Sequence, residues 1–463
     1  MTRTAMVTGA TGYVGSLVVE RLLEEDWTVR VLVRDADKLP DQWDGRIHVV
    51  EGDANSPDDL AEAMQGADVT WFLIHSMGGG DDFARTELQI AHAFADAARD
   101  AGLSRIVYLG GLHPDGELSE HLASRVEVGE ILMASGVPTA AVQAGVVLGD
   151  GSASFQMLRD LTERLPGAIG PKFLANRIQP IDHRDVVHYL VRAADLGPEH
   201  NRTFDVGGPD RLSYAEMMKA YAKVQGMGPR PVMIAPVWTP GLASHWIGLI
   251  TRTPAEMAGP LLGSLLHETV SKEDDLTDLV GAPEGGPRSF AQSVEDASAE
   301  RDQWRPVKVL AATSAAVLAA ATVGGLATAQ GTQSRWYRTR RKPSWQPPGA
   351  VFGPVWTALY ADIAVISALH LADRLEEGDR DGVVRDAAAL GANLVLNAGW
   401  SWVFFRAHRP ALATGVAGAL AVSSADLVRR VGQRRERGVV LAPYAAWTGF
   451  ATVLTDAIRR RNR

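Results

Sequence analysis

The first three hundred residues alternate short apolar runs with amphipathic ones. Strand-like segments at Thr4–Thr8, Val29–Val33, His48–Glu51, Val69–Ile74 and Arg105–Leu109 are separated by helical patterns at Leu17–Leu23, Pro57–Met64 and Asp81–Asp100. Short apolar runs bounded by turn residues predict strands buried on both faces, and strands alternating with helices predict a parallel, doubly wound sheet. The pattern changes after Lys308. From Val309 to Ser334 there is no charged residue, a run of 26, and a helix needs roughly 20 apolar residues to cross a bilayer core. This run is rich in Ala and Thr, which suits close packing between membrane helices. Further apolar stretches follow at Val351–Leu371, Ala387–Phe405, Ala411–Val428 and Val439–Thr455. With Val309–Ala329 they predict five spans. The expected fold is therefore an α/β doubly wound domain fused to an all-α five-helix transmembrane bundle. Its expected boundaries are 1–295 for the first domain, 296–306 for a linker and 307–463 for the second.

Charge divides the chain at the same place. Residues 1–302 hold 25 Lys+Arg against 45 Asp+Glu, and residues 303–463 hold 21 against 10, or about −20 and +11. An acidic first domain offers no basic stripe for phosphates, so nucleic acid is excluded as a partner. With no cysteine, disulfides, thiolate metal ligands and cysteine nucleophiles are excluded together, and no metal site is expected. Met1 leads straight into a strand-like segment without a signal-peptide pattern, which predicts a cytoplasmic first domain.

Candidate chemistry begins at the first turn. Gly9-Ala10-Thr11-Gly12-Tyr13-Val14-Gly15 stands between a strand and a helix. In that setting glycines permit a tight turn and close approach of a pyrophosphate, and the helix N-terminus offers free N–H groups to the anion. This predicts a Rossmann-type dinucleotide site built on Thr8, Gly9, Thr11, Gly12, Tyr13, Val14 and Gly15. The second strand ends Val33-Arg34-Asp35. Arg34 stands where an Arg accommodates the 2′-phosphate of NADP(H), which favours that cofactor, while Asp35 keeps NAD(H) open. Asp53 and Ala54, after the third strand, are placed to reach the adenine, and Asp53 serves equally well as a turn or helix cap.

The spacing Thr-Gly-Ala-Thr-Gly-Tyr-Val-Gly resembles the extended and atypical short-chain dehydrogenase/reductase superfamily, particularly its NmrA-like members. So do Leu73-Ile74-His75-Ser76-Met77-Gly78-Gly79-Gly80, Ile106-Val107-Tyr108-Leu109-Gly110-Gly111 and Phe204-Asp205-Val206-Gly207-Gly208-Pro209. The resemblance spans roughly residues 1–295 and implies that His75, Ser76 and Gly110 lie near the nicotinamide. The chain departs from it at the proton-transfer pair. Where the superfamily uses Tyr-x-x-x-Lys, the corresponding stretch is His121-Leu-Ala-Ser-Arg125, and Gly110-Gly111 replaces the usual serine. Imidazole does acid–base chemistry near neutral pH, whereas Arg keeps its proton. His121 and Arg125 are the candidate catalytic residues, His121 acting alone or with His75 or His113. Two readings stay open: an atypical NAD(P)H-dependent oxidoreductase, or a domain that binds the dinucleotide without turnover. Further on, Asp182, His183 and Asp185 are expected at a helix start, as caps or substrate contacts. The proline-interrupted stretch 229–260 is expected to form an apolar lid.

The membrane half carries patterns beyond hydropathy. Trp336-Tyr337, Lys342-Pro343-Ser344-Trp345-Gln346-Pro347-Pro348, Val351-Phe-Gly-Pro-Val-Trp356-Thr-Ala-Leu-Tyr360, Leu396-Asn397-Ala-Gly-Trp400-Ser-Trp402 and Leu441-Ala-Pro443-Tyr444-Ala-Ala-Trp447-Thr-Gly-Phe450-Ala451 occur in this order. Together they resemble the TspO/MBR family of tryptophan-rich sensory and translocator proteins. That resemblance implies a five-helix bundle, often a homodimer, with a pocket for a tetrapyrrole such as a porphyrin or another hydrophobic molecule. Carried over residue by residue, the pocket involves Trp356, Tyr360, Asn397, Trp400, Trp447 and Ala451. Flat indole and phenol rings suit a planar macrocycle. Asp362, mid-span, is an intramembrane carboxylate and so a functional candidate. The loop charges balance at 11 Lys/Arg on each side, so the positive-inside rule gives no orientation. The expectation is an integral protein of the cell (inner) membrane with its first domain inside.

Overall fold

The computed structural model describes residues 2–74, 81–114, 118–235, 240–263 and 265–462. It divides into two compact units, residues 1–247 with 251–301 and residues 248–250 with 302–463. Each is built differently.

The first unit is organised by a parallel sheet of seven strands: β1 (Thr4–Thr8), β2 (Thr28–Val33), β3 (Ile47–Glu51), β4 (Val69–Phe72), β5 (Arg105–Gly111), β6 (Thr139–Ala144) and β7 (Arg202–Val206). Their order is β7-β6-β5-β4-β1-β2-β3, and every pairing is parallel. Alternation along each strand feeds two separate cores. Ala5 and Val7 of β1 pack with Val18, Val19 and Leu22 of helix α1 (Tyr13–Glu24). Met6, between them, points the other way, into a core with Leu60, Phe94 and Val128. Those three belong to α2 (Pro57–Met64), α3 (Asp81–Asp100) and α4 (Glu120–Met133). A two-residue period thus covers both faces of the sheet with helices. Chain travel reverses between β1 and β4, and the crevice at their carboxyl ends is where a doubly wound sheet binds its ligand.

Local sequence fixes the helix starts. Ser56 accepts the Asp59 N–H at 3.3 Å, with Pro57 first in α2 and Asp58 and Asp59 beside the positive end of the helix dipole. Beyond β6 lie α5 (Ala153–Arg164), α6 (His183–Arg192) and α7 (Tyr214–Val224). A buried ionic cluster braces α5: Asp160 accepts both Arg252 Nε at 3.0 Å and Arg252 Nη2 at 2.8 Å, with Arg164 at 3.5 Å.

The second unit is five long helices: α8 (Arg305–Gln333), α9 (Gly349–Glu376), α10 (Arg380–Ser401), α11 (Pro410–Val431) and α12 (Arg435–Arg461). All five are long and apolar enough to cross a membrane, counting the π turn Trp402–Arg406 that extends α10. Small residues set their spacing. A Cβ on Gly331 would lie 2.4 Å from Phe405 Cβ, so only glycine lets α8 approach the π turn this closely. Thr313 Oγ1 donates to the Ala364 carbonyl at 3.0 Å, tying α8 to α9. At the end where α9, α11 and the starts of α10 and α12 meet, carboxylates and cations interlock. Asp386 is reached by His370 at 2.6 Å, Arg374 at 2.7 Å and Arg430 at 2.5 Å, and Asp373 by Arg437 at 2.7 Å.

Candidate functional site

The first turn is shaped by three glycines. Gly9 has φ +72°, a region that side chains rarely adopt, and a Cβ there would lie 2.5 Å from the Leu73 carbonyl oxygen. A Cβ on Gly15 would lie 2.0 Å from the Gly9 carbonyl oxygen, so helix and turn are packed more closely than alanine allows. Helix α1 starts after Gly12 without a side-chain cap and without an acidic residue in its first turn. Its leading N–H groups and positive dipole end therefore stay available to an anion.

This turn forms the floor of a cleft of about 660 Å3 along the carboxyl ends of the central strands. Gly9, Thr11, Gly12, Tyr13, Val14 and Gly15 line its middle, and Arg34, Asp53 and Ala54 line one end. Thr8 stands apart from these predicted contacts. Its buried hydroxyl donates to the Trp71 carbonyl at 3.0 Å and accepts the Leu73 N–H at 3.4 Å, which ties β1 to β4. Asp35 is also occupied. It caps the next turn through the Asp37 N–H at 3.2 Å and pairs with Lys38 at 3.0 Å, and that hydrogen bond holds its carboxyl below the usual range. Asp53 is bound to the Asn55 backbone N–H and side chain, both at 2.9 Å, which lowers its pKa, with burial opposing and Arg34 adding to the effect. Arg34 is thus the exposed charge on the rim. A glycine cradle, a bare helix N-terminus and a cation at the far end fit a dinucleotide phosphate.

The other end of the cleft is lined by Gly110, Leu112, Leu122, Arg125, Val146 and Leu261, with Ser152 and Ser154 at the start of α5. Arg125 donates to the Leu109 carbonyl and its guanidinium lies 5.8 Å from the Tyr108 ring centroid. Tyr108 in turn donates to the Arg125 carbonyl at 3.1 Å. This interlock holds a positive charge at the end of β5. His121 lies one helical turn before Arg125 in α4, but its side chain is outside the described residues, as are His75 and Ser76. Tyr13 is a poor proton donor: burial, then Asp182 and Asp150, push its pKa well above the ordinary value. His113 Nδ1 lies 3.4 Å from the Pro114 carbonyl, and His183 Nδ1 lies 3.2 Å from the Leu148 carbonyl. Asp182 caps α6 by accepting the Arg184 N–H at 2.8 Å. Asp185 accepts the Arg288 N–H at 2.7 Å, and burial raises its pKa to about 6. The wall formed by Ser152, Ser154, Leu261 and Thr269 carried no periodic signal in the sequence.

In the bundle, the predicted pocket residues fall into groups. Tyr360 donates to Asn397 Oδ1 at 2.8 Å, and Asn397 Nδ2 donates to Tyr444 Oη at 3.3 Å. Tyr444 donates to Asn393 Oδ1 at 2.6 Å, and Asn393 Nδ2 reaches Ser424 at 3.1 Å. This polar chain crosses α9, α10, α12 and α11. Asn393 and Ser424 were not foreseen, although Asn393 and Asn397 share a helix face four residues apart in an apolar stretch. Trp356 lies beside Tyr360, with ring centroids 5.4 Å apart. Trp400 stacks on Phe404 at 6.0 Å, and Trp447 packs against Phe352 and Phe450. The indole N–H groups of Trp400 and Trp447 are buried without a hydrogen-bond partner. Ala451 is half-buried one turn beyond Trp447.

Fold and site together define an NAD(P)H-binding, reductase-like domain joined to a five-helix membrane bundle. Family models place both halves. The NAD(P)H-binding model matches residues 9–144 and the TspO/MBR model residues 312–461. Ceramide reductase of Caulobacter vibrioides is 30% identical over 273 residues, 56% of this chain and 83% of that protein. The tryptophan-rich protein TspO of Archaeoglobus fulgidus is 34% identical over 155 residues, 32% of this chain and 94% of that protein. Triphenylmethane reductase of a Citrobacter species, solved with NADP(H), superposes with a TM-score of 0.51 at 20% identity, covering 63% of this chain and 99% of that one, which shows the shared fold. The chain belongs to the NAD(P)H-binding family through its first unit, which is reductase-like, and to the TspO/MBR family of membrane proteins through its second.

Proposed function

We propose that the chain is a membrane-tethered, NADPH-dependent oxidoreductase acting on a lipid-soluble carbonyl compound. The observation that carries this is the single cleft joining the glycine cradle and Arg34 to an apolar end lined by Leu112, Leu122, Val146 and Leu261. When bound, the dinucleotide supplies a hydride. The chain supplies the rest. The first turn of α1 holds the pyrophosphate, Arg34 pairs with the 2′-phosphate, and Arg125 sets a positive field where oxyanion character develops on the substrate. His121 delivers the proton from one helical turn away. Similarity to a ceramide reductase supports a long-chain substrate, and the membrane half keeps such a molecule within reach. In the bundle, Trp356, Tyr360, Asn397, Trp400, Trp447 and Ala451 bind a tetrapyrrole or another hydrophobic planar ligand. The two buried, unpartnered indole N–H groups support a ligand with hydrogen-bond acceptors on its rim. The first domain faces the cytoplasm, where the dinucleotide pool is.

The lost Tyr-x-x-x-Lys pair favours a second reading, a sensor in which NADP(H) occupancy biases the bundle without chemistry. The two readings part in one experiment. Full-length protein in nanodiscs is given NADPH and a long-chain ketone, with His121→Ala as the comparison. Oxidation of NADPH that the variant loses while keeping cofactor affinity supports the enzyme, and binding without oxidation in the wild type supports the sensor.

A further inference from the structure

The two ends of the bundle carry similar numbers of cations but very different numbers of carboxylates. The end formed by the α9–α10 and α11–α12 connections holds eight of the ten Asp and Glu in residues 303–463. There the ions pair, as at Asp386 and Asp373. Asp362 is mid-span, so the opposite end is left with Asp456 alone against 11 Lys and Arg. Arg459 and Arg460 take up that carboxylate, at 2.5 Å and 2.6 Å. Arg463 lies outside the described residues, and the remaining eight cations make no ion pair among the described residues.

The fold draws these cations into one rim. The α8–α9 connection is bound to the end of α12. Asn462 Oδ1 accepts the Arg341 N–H at 2.9 Å, Asn462 Nδ2 donates to the Arg341 carbonyl at 2.9 Å, and Arg461 donates to the Lys342 carbonyl at 3.0 Å. The α10–α11 connection joins the same rim. His408 takes φ +55°, an uncommon conformation for a residue with a side chain, and its ring stacks on Trp336 at 4.4 Å. Arg406 donates to Gln330 of α8, and the Arg340 guanidinium lies 4.6 Å from the Trp336 ring centroid. These contacts fix the three segments side by side while leaving Arg338, Arg341, Lys342 and Arg406 exposed. Like charges gathered in this way repel one another until an anion lies among them.

We propose that this end of the bundle is a binding site for the phosphate of an anionic phospholipid. Two observations favour a lipid phosphate over one dissolved in water. Trp345 and Trp402 belong to the same end and are 46% and 41% exposed, and exposed tryptophans at the ends of membrane spans mark the depth of the headgroups. The cations also stand within a few residues of the helix ends, from which the long stems of Arg and Lys reach the phosphate layer. At the opposite end carboxylates already occupy the cations, so the selectivity belongs to one leaflet. Each cation near the phosphate contributes about fivefold in affinity.

The test uses the tryptophans of this end as reporters. Full-length protein in a neutral detergent is titrated with phosphatidylglycerol brominated on its acyl chains, and separately with phosphatidylcholine brominated in the same way, while quenching of tryptophan emission is followed. The wild type should bind the anionic lipid more tightly. In Arg338→Gln with Arg341→Gln and Lys342→Gln, that preference should fall by at least about fivefold. Arg385→Gln with Arg435→Gln, exposed at the opposite end, should keep it to within about twofold. A wild type without preference overturns the proposal, as does a preference that the second variant loses and the first keeps. Arg338→Lys with Arg341→Lys retains the charge and should retain the preference; its loss there would assign the effect to guanidinium packing and overturn the proposal. Inorganic phosphate replacing chloride at equal ionic strength should leave the preference in place. If it abolishes the preference, the site takes free phosphate and the lipid assignment is wrong. Unchanged helical content and NADPH binding show that each variant is folded.

Discussion

Arg34→Ala tests how the cleft reads its cofactor. The two carboxylates that could bind a ribose hydroxyl are already engaged. Asp35 is held by Lys38 at 3.0 Å and the Asp37 N–H at 3.2 Å, and Asp53 by Asn55 at 2.9 Å. Turning either toward a ribose would break those bonds, whereas Arg34 is exposed on the cleft wall. A charge-assisted contact to phosphate contributes roughly 1.5–3 kcal/mol, so NADPH affinity should fall about 10- to 150-fold in the variant. NADH carries no 2′-phosphate, and its affinity should change by less than about threefold. The assay is energy transfer from tryptophan to bound dinucleotide in full-length protein, repeated at low and high salt, because the rim contact is screened. Equal loss for both dinucleotides, or a wild type that prefers NADH, would refute the assignment of Arg34 to the 2′-phosphate.

Other outcomes follow from named contacts. Gly15→Ala places a Cβ 2.0 Å from the Gly9 carbonyl, so binding of NADPH and NADH should weaken together by roughly a hundredfold, as for an ångström-scale displacement; calorimetric titration checks this. Asp160→Asn removes a buried carboxylate that accepts two hydrogen bonds from Arg252 and lies 3.5 Å from Arg164, and the loss of stability should be about 3 kcal/mol in denaturant unfolding of the first unit's signal. The wild type should also respond to acid. Burial works against it, but Arg164 and Arg252 hold Asp160 at about 2, below its unfolded value, so a contribution on the order of 2 kcal/mol is present above pH ~4 and is lost as pH falls toward 2. Tyr444→Phe removes the donor to Asn393 and should cost about 1 kcal/mol in the thermal unfolding of the bundle, with its helical content unchanged.

Much of this architecture was legible in the sequence, for reasons that differ along the chain. Strands β1, β4 and β5 announced themselves because they are largely buried on both faces, whereas β2 and the edge strand β3, with His48, Val49 and Glu51 exposed, were legible only as short apolar runs between turn residues. The five spans did so because a bilayer excludes charge, although each helix extends past its apolar run to charged ends such as Arg305 and Arg461. Strand β6, all of it buried, was missed because Thr139, Gln143 and three alanines dilute its hydropathy. The small parallel ribbon of Ala168–Pro171 and Val232–Ala235 was missed because its two strands are four residues each and lie about sixty residues apart in the chain. In the cofactor loop, glycine spacing gave the cradle, but Thr8 needed coordinates: only the hydroxyl's bond to Trp71 shows it serving the sheet. The bundle's polar chain was half visible. Tyr360 and Asn397 were singled out by motif, while Ser424 and Asn393 acquire meaning only once α10, α11 and α12 are brought side by side.

The most direct test of hydride transfer at the membrane uses NADPH carrying deuterium at C4 of the nicotinamide. Full-length protein in nanodiscs is mixed with this cofactor and a long-chain ketone dissolved in the lipid, and the lipid is analysed by mass spectrometry. The account predicts deuterium on the carbinol carbon of the reduced lipid, at a rate that His121→Ala lowers without weakening NADPH binding. NADPH that binds tightly and yields no labelled product with any lipid carbonyl would contradict it and leave the dinucleotide as a signal to the bundle.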